Sequence, residues 1–220
     1  AEDDAATALA VNALAVRAMA SAAASVGATL VHYSTDFVFD GRASEPYREE
    51  DRACPVSVYG CSKLLGEWFA QDAPRWYVLR VESLFGGRQA RSSVDKIAAA
   101  LREGRQTPVF ADRIVTPSYV DDVREATLDL LARDTPSGVF HCVNSGQGTW
   151  ADVGRHVAAE LGADPALLTL TSVNDVRLRA RRPTYCALSN AKLPAAIGRP
   201  LPTWQDAVGR YVTRGPALSA

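Results

Sequence analysis

The stretch ATLVHYSTDFVFDG, residues 28 to 41, contains the feature that decides the fold class. Its first seven residues are a short apolar run with β-branched and aromatic members, which is typical of a buried strand in a parallel sheet. Residues 5 to 26 are rich in Ala, Leu and Val, and the run stops at Gly27, so they predict a helix that leads into this strand. A helix followed by a buried strand favours an α/β fold.

The alternation of helix and strand continues along the chain. Residues 56 to 71 have a helical pattern, and 75 to 81 and 138 to 144 form two further apolar runs. Helices are predicted between these runs at 92 to 102 and 121 to 133. This order predicts a Rossmann-like doubly wound parallel sheet that is covered by helices.

The last third of the chain has a different pattern. Helices within 149 to 162 and 203 to 212 each open on a threonine that is followed three residues later by an aspartate, as in a capping box. Between them lie an apolar segment at 167 to 173, which predicts a short strand, and an arginine-rich segment at 177 to 183. We expect a smaller α+β lobe from this part of the chain.

The composition favours a soluble protein that acts on a small molecule. The chain has 220 residues with 47% hydrophobic content, and its 24 basic and 25 acidic residues nearly cancel, which argues against nucleic acid or a membrane as partner. No stretch of 18 apolar residues and no basic leader is found. Four cysteines without a C-x-x-C pair and three histidines, interpreted as structural or surface residues, predict no metal site, no disulfide framework and a reduced, cytoplasmic location.

Three polar side chains predict carbonyl chemistry. Thr35 follows the end of the first strand, where ligands bind in open α/β sheets. Tyr59 and Lys63 are four residues apart, so they lie on one helix face, where the ammonium would lower the pKa of the phenol toward the range of an acid catalyst. Hydroxyl, phenol and ammonium together could polarise a carbonyl and supply its proton while a cofactor supplies hydride. A Tyr59 packed over its helix beside a solvated Lys63 is the structural alternative.

Longer segments of the chain resemble a known family. The segments are STDFVFDG (34 to 41), PYREEDRACPVSVYGCSK (46 to 63), LRVESLFGG (79 to 87), TPSYVDDV (116 to 123) and RPTYCALSNAKL (182 to 193). Together, and in this order, they resemble the extended short-chain dehydrogenase/reductases, specifically the dTDP-4-dehydrorhamnose reductase group. The resemblance covers almost the whole chain.

The resemblance implies a reaction and a set of site residues. It implies hydride transfer from NADPH or NADH to the C4 carbonyl of a nucleotide-linked 4-keto-6-deoxy sugar, as in dTDP-rhamnose biosynthesis, with Tyr59 as proton donor and Lys63 also holding the nicotinamide ribose. The implied catalytic residues are Thr35, Tyr59 and Lys63. Cofactor contacts are expected from these three and from Asn12, Ser34 and Arg80. Substrate contacts are expected from Asp36, Phe39, Tyr119 and Arg182. Core packing is an equally good interpretation of Phe39 and Tyr119, and a position on a solvated face is the alternative for Arg182.

The resemblance also implies a division of the chain. Residues 1–85 correspond to the C-terminal part of a dinucleotide-binding Rossmann domain, and 118–145 return to that domain. Residues 86–117 and 146–220 correspond to the substrate-binding lobe. A homodimer is an open possibility here.

Two departures from the family pattern affect these expectations. Where members commonly read R-T-S-W-V-Y-G, this chain reads RVESLFG from Arg80 to Gly86, with Ser83 at the tryptophan position, so the hexose stays open. The family's glycine-rich turn, which binds the cofactor pyrophosphate at a helix N-terminus, is absent, the first glycine being Gly27. The 220 residues by themselves are therefore expected to be inactive, and to aggregate or to need a partner chain.

Other functions on the same fold remain open at this stage. The fold also resembles the non-catalytic, nucleotide-binding regulatory subunit of methionine adenosyltransferase, and fold alone does not separate the two. Another nucleotide-sugar reductase or a 3,5-epimerase-type relative is a further alternative. The presence of Thr35, Tyr59 and Lys63 favours the enzyme.

Overall fold

The computed structural model describes residues 1–87, 89–133, 135–176 and 183–214. The helices are α1 (Ala5–Leu9), α2 (Ala15–Val26), α3 (Val58–Ala70), α4 (Ser93–Arg102), α5 (Val120–Ala132), α6 (Trp150–Leu161), α7 (Leu193–Ile197) and α8 (Trp204–Arg214). The strands are β1 (Thr29–Thr35), β2 (Arg75–Val81), β3 (Leu84–Phe85), β4 (Thr107–Phe110), β5 (Ile114–Val115), β6 (Ser118–Tyr119), β7 (Gly138–His141), β8 (Gly148–Thr149) and β9 (Leu168–Thr171).

Strands β1, β2 and β7 form a parallel sheet in that order. Thr35 pairs with Val81 and Arg80 pairs with His141, so the carboxyl ends of the three strands lie at one edge. The strands are parallel because helices between them return the chain to the opposite edge. The prediction of an α/β fold with a parallel sheet is confirmed.

Helices pack on both faces of this sheet because successive strand residues point to opposite sides. On one side, Val78 of β2 packs with Val16 of α2 and Ala70 of α3. On the other side, the neighbouring Leu79 belongs to a cluster with residues of α5 and α7, including Leu130 and Leu193. Strand β2, buried on both faces, is therefore apolar almost throughout.

The third strand is shorter than the sequence predicts. The apolar pattern extends to residue 144, whereas β7 ends at His141. The next residues stay fully buried, Cys142 and Val143 at 0% exposure, and the side chain of Asn144 accepts a hydrogen bond from the backbone N–H of Tyr119 at 2.8 Å. The apolar residues after β7 thus fill the core as a buried loop.

The N-terminal helix contains one irregular turn. Residues 5 to 26 are helical as predicted, but Ala10–Leu14 form a π-helical turn between α1 and α2. The carbonyl of Asn12 in this turn approaches α3 so closely that a Cβ at Gly66 would lie 2.1 Å from its oxygen. The helix ends at Gly27, whose φ of 66° is left-handed, as the sequence predicts.

The same helix bears on the question of a membrane. Within the described ranges, Ala5–Val26 is the one helix that is long and apolar enough to cross a membrane, judged by length and composition alone. Its alanines at 20 and 23 pack with Ala73 beside the sheet, which is the position of a covering helix in an α/β fold. The absence of a membrane partner stays a prediction.

A second core lies among α4, α6 and α8. It is built on fully or nearly buried residues such as Val94, Val153 and Val208, and the strand pair β4–β9 borders it. The capping box predicted at Thr149 is present, with Asp152 accepting from the backbone and hydroxyl of Thr149. Strand β9 confirms the short strand predicted within residues 167 to 173. The boundaries of the predicted domain division stay predictions.

Candidate active site

The end of β1 and the start of α3 meet at Thr35 and Tyr59. Helix α3 begins after Ser57, whose hydroxyl accepts the backbone N–H of Gly60 at 3.1 Å. A Cβ at Gly60 would lie 2.2 Å from the carbonyl oxygen of Phe37, so only glycine lets the first turn of α3 approach the residues after β1. This approach brings the phenol of Tyr59 near enough to the hydroxyl of Thr35 for that hydroxyl to affect its pKa.

Thr35 itself is held in a fixed environment. Its side chain is 5% exposed, and Oγ1 accepts the backbone N–H of Phe37 at 3.2 Å. Oγ1 also donates to Oδ1 of Asp36 at 2.9 Å. The hydroxyl of Thr35 is therefore bonded to a buried carboxyl group.

Tyr59 remains accessible while its acidity is lowered. Its side chain is 37% exposed, and its ring contacts Phe37 edge to face, with the ring centroids 5.9 Å apart. Partial burial raises the pKa of Tyr59, the hydrogen bond with Thr35 lowers it, and the negative charge of Asp36 raises it, so that the net shift is upward. At neutral pH the phenol carries its proton and is a proton donor.

Lys63 lies one turn further along α3, and its ammonium contacts strand β1. Its Nζ donates to the backbone carbonyl of Tyr33 at 2.5 Å and lies 3.3 Å from Nε2 of His32. Burial lowers the pKa of Lys63, and the charge of Glu67 raises it. The expectation that Lys63 lowers the pKa of Tyr59 is therefore wrong for this arrangement of side chains.

Asn12, expected at the cofactor, supports the catalytic helix. Its Nδ2 donates to Oγ of Ser62 at 3.0 Å, and that hydroxyl donates to the carbonyl of Tyr59 at 2.8 Å. The π-helical turn thus fixes the turn of α3 that carries Tyr59 and Lys63. π-helical turns occur frequently at functional sites.

Ser34 and Arg80, also expected at the cofactor, bind a buried carboxylate. Glu67 of α3 is 2% exposed, and its Oε1 accepts from Ser34 Oγ at 2.5 Å. Arg80 donates to both oxygens of Glu67, from Nε at 2.9 Å and from Nη2 at 2.8 Å. Arg80 Nη1 lies 3.4 Å from Nε2 of the fully buried His141. These contacts favour a structural role that joins α3 to the sheet.

A buried polar cluster lies behind Thr35. It consists of Asp36, Glu82, Arg113 and Cys186, each at most 5% exposed. One oxygen of each carboxyl and the sulfur of the thiol, the atoms that could bind a metal, lie within 4.8 Å of one another. Nη2 of Arg113 donates to Sγ of Cys186 at 3.5 Å. The cation of this cluster is therefore the guanidinium, and we assign no metal to it.

A cavity of about 260 Å³ opens in front of this cluster. Ser83, in its wall, has a φ of 44°, a left-handed conformation that is uncommon for a residue other than glycine and recurs at functional sites. The lining residues are Asp36, Phe37, Ser83, Leu84, Arg91, Ser92, Ser93, Arg113 and Trp150. Phe37 joins the cavity to Tyr59, and two arginines give it a positive lining.

The remaining predicted substrate residues have different positions. Asp36 lines the cavity. Phe39 is 1% exposed and stacks on Tyr47 with ring centroids 4.2 Å apart, and Tyr119 is 6% exposed and stacks on Phe85 at 5.4 Å. For Phe39 and Tyr119 the structure supports the packing alternative. Arg182 lies outside the described residues.

Sequence reasoning missed Glu82, Arg113 and His32 as neighbours of the site. Glu82 lies in the segment that departs from the family pattern, and this departure was the available signal for it. Arg113 precedes β5, without a motif that pointed to a site. His32 alternates with Ser34 on the face of β1 that meets α3, a position that strand periodicity gives but that was interpreted as structural.

Comparisons with known proteins identify relatives of this chain. The family model described as the RmlD substrate binding domain matches residues 1–216. A dTDP-4-dehydrorhamnose reductase from Burkholderia thailandensis is 35% identical over 228 residues, covering 96% of this chain and 76% of the relative. A protein of the same name from Sinorhizobium fredii is 34% identical, covering 96% of this chain and 75% of its own length.

Solved structures give the same result. A dTDP-4-dehydrorhamnose reductase from Bacillus anthracis in complex with NADP has a TM-score of 0.88 at 26% identity, covering 97% of this chain and 75% of that one. A dTDP-4-dehydrorhamnose reductase from Clostridium acetobutylicum has a TM-score of 0.88 at 29% identity, with the same coverage. Because a family model matches nearly the whole sequence and relatives exceed 30% identity, this chain belongs to the RmlD substrate binding domain family, together with the dTDP-4-dehydrorhamnose reductases.

Proposed function

We propose that this protein catalyses the NAD(P)H-dependent reduction of the C4 carbonyl of a nucleotide-linked 4-keto-6-deoxy sugar. The observation that carries the proposal is the pair Thr35 and Tyr59 at the carboxyl edge of the sheet. The phenol is exposed, has a raised pKa and lies near the buried hydroxyl of Thr35. The relatives named dTDP-4-dehydrorhamnose reductase support the choice of substrate class.

The cofactor, Tyr59 and Thr35 each have a separate role in carbonyl reduction. The bound nicotinamide supplies hydride to the carbonyl carbon. Tyr59 donates its proton to the carbonyl oxygen, and Thr35 holds the phenol oxygen in place for this transfer. The raised pKa of Tyr59 keeps the phenol protonated at neutral pH. A general acid for reduction must carry its proton before the transfer.

Lys63 fits the role of a cofactor contact. An ammonium has three N–H donors, and within the described part of the chain two of its contacts are the Tyr33 carbonyl and His32. The third donor would hold a ribose hydroxyl, beside the phenol of Tyr59. The half-buried position of Lys63 lowers the cost of ordering such a contact. The NADP named with the Bacillus anthracis structure supports a nicotinamide dinucleotide as the cofactor.

The substrate and the assembly state are further parts of the proposal. The positive cavity with Arg91 and Arg113 suits an anionic nucleotide sugar, but Ser83 stands where the family commonly has tryptophan, so the identity of the hexose is left to experiment. A homodimer and a cytoplasmic location remain parts of the proposal. The regulatory-subunit alternative has no contact in its favour, since a subunit without chemistry needs no exposed tyrosine on a buried hydroxyl.

The test is a reductase assay with the full-length protein. Oxidation of NADPH or NADH is followed after addition of a dTDP-linked 4-keto-6-deoxy sugar, with an NDP-sugar that lacks the keto group as control. We expect oxidation only with the keto sugar, and one reduced sugar as product. Cofactor binding without oxidation would favour the regulatory alternative, and an epimerised keto product would favour the epimerase-type relative.

A further inference from the structure

The first turn of α3, which carries Tyr59, has backbone N–H groups that the helix itself does not satisfy. The first N–H groups of any α-helix have no carbonyl one turn earlier to bond to. In α3 the first backbone bond runs from Cys61 to the carbonyl of Ser57. The Ser57 hydroxyl accepts the N–H of Gly60 at 3.1 Å. The N–H groups of Val58 and Tyr59 therefore need an acceptor from outside the helix.

The carboxylate of Glu2 supplies this acceptor. Its Oε2 accepts the N–H of Val58 and its Oε1 accepts the N–H of Tyr59, each at 3.3 Å. The two bonds join residues 56 and 57 positions apart, so they are tertiary contacts and not part of a local capping motif. Together with the Ser57 hydroxyl, Glu2 completes the hydrogen bonding of the first turn of α3.

The charge of Glu2 also suits this position. The N-terminus of a helix carries a partial positive charge, which a nearby carboxylate stabilises. Helices α4 and α6 each have an acidic residue in their own first turn, Asp95 and Asp152. Helix α3 has none there. Glu2 therefore supplies from another segment the negative charge that the sequence of α3 lacks.

The same N-terminal segment reaches the other side of Tyr59. Asn12 bonds to Ser62, whose hydroxyl donates to the Tyr59 carbonyl at 2.8 Å, whereas Glu2 binds the Tyr59 N–H. The side chain of Tyr59 is 37% exposed, so packing constrains it less than it constrains a core residue. The position of the phenol therefore depends on how firmly the backbone of this turn is held.

We propose that Glu2 is a positioning residue that, by binding the backbone N–H groups of Val58 and Tyr59, holds the first turn of α3 in the geometry that proton transfer from Tyr59 requires. The catalytic consequence rests on the proposed function, because a small misplacement of a reacting group costs rate. The contact itself does not depend on any substrate. Glu2 acts through the backbone and transfers no proton itself.

The first measurement is amide hydrogen exchange in the full-length, ¹⁵N-labelled protein. In Glu2→Ala the amides of Val58 and Tyr59 lose their acceptor, so we expect them to exchange roughly three- to tenfold faster than in the wild type. Asp4→Ala is the matched control, since it removes a carboxylate of the same segment that accepts the N–H of Thr7 at 2.9 Å. It should accelerate the Thr7 amide and leave the Tyr59 amide unchanged. Unchanged exchange of Tyr59 in Glu2→Ala overturns the proposal.

The second measurement separates kcat from KM. In Glu2→Ala we expect kcat to fall about tenfold, because a misplaced phenol transfers its proton more slowly. KM should change little, since the cavity in front of the site is lined by other residues. Asp4→Ala should keep both constants near the wild-type values. An equal fall of kcat in Asp4→Ala, or a change in KM alone in Glu2→Ala, would overturn the positioning role.

A second variant keeps the test decisive if Glu2→Ala disturbs the fold. In Glu2→Gln the amide keeps one acceptor oxygen of the two, so Tyr59 exchange and kcat should lie between those of the wild type and Glu2→Ala. Values no closer to the wild type than those of Glu2→Ala would overturn the role of the hydrogen bonds. Absence of wild-type turnover would contradict the proposed function only, because the exchange measurement needs no substrate.

Discussion

Nζ of Lys63 lies 3.3 Å from Nε2 of His32, across the space between α3 and β1. His32 is 7% exposed, and burial together with the charge of Lys63 lowers its pKa to about 4. A neutral His32 can accept a hydrogen bond from the ammonium, whereas a protonated one repels it. The position of Lys63 is therefore coupled to the protonation of a buried residue on the neighbouring strand.

This coupling predicts a loss of stability in acid. A histidine with a pKa of about 4 in the folded state and 6.5 in the unfolded state binds its proton preferentially when unfolded, so stability falls as the pH drops from 6.5 toward 4. Between pH 7 and 5 the loss from His32 is roughly 2 kcal/mol. In His32→Gln, urea unfolding should show a pH dependence smaller by about this amount. An unchanged pH dependence would mean that His32 is not buried in its neutral form.

Removal of the Tyr59 hydroxyl should stop proton donation while leaving the fold intact. Turnover in Tyr59→Phe is expected to fall on the order of 100-fold or more, with little change in the cofactor Kd. Tyr211→Phe is the matched control, since it removes a phenol that bonds to Asp95 in the second core. Near wild-type turnover in Tyr59→Phe would end the assignment of Tyr59 as the proton donor.

The hydroxyl of Thr35 should affect chemistry more than binding. Thr35→Val keeps the shape of the side chain and removes the hydroxyl that bonds to Asp36 and lies near the phenol of Tyr59. We expect kcat to fall about tenfold, the value of one neutral hydrogen bond, with a smaller change in KM. A change in KM alone would instead place Thr35 in substrate binding.

The buried pair Glu67 and Arg80 predicts a large effect on stability. Their side chains are 2% and 6% exposed, so Arg80→Met leaves an unpaired carboxylate in the core, at a cost of roughly 3–5 kcal/mol. Urea unfolding measures this loss. The cofactor Kd of the folded fraction should stay near the wild-type value if Arg80 is structural, whereas a weakened Kd at unchanged stability would return Arg80 to the cofactor site.

The close approach of α3 to the π-helical turn predicts that Gly66 tolerates no side chain. In Gly66→Ala the new Cβ would lie 2.1 Å from the Asn12 carbonyl oxygen, so the two helices must move apart. A loss of about 1–3 kcal/mol or more is expected from the overpacking. Gly87→Ala serves as the control, because a Cβ there meets no atom within 4 Å. Equal stability of the two variants would show that the helices do not pack as described.

Several parts of the fold were determined by local sequence alone. The apolar runs at β1 and β2, the glycine that ends α2 and the capping box at Thr149 each depend on neighbouring residues, and each was predicted. The four-residue spacing of Tyr59 and Lys63 likewise placed both on α3. Such features are readable because turn geometry and burial periodicity act within a few residues.

The tertiary structure decided which groups these side chains meet. Lys63 turns toward His32 and the Tyr33 carbonyl because α3 packs across β1, and no spacing within α3 contains that information. Arg113 and Asp36, 77 positions apart in the chain, line the same cavity only because tertiary packing brings them together. Sequence spacing fixes the side chains on one element, whereas the charges and hydrogen bonds that set their pKa values come from residues on other elements.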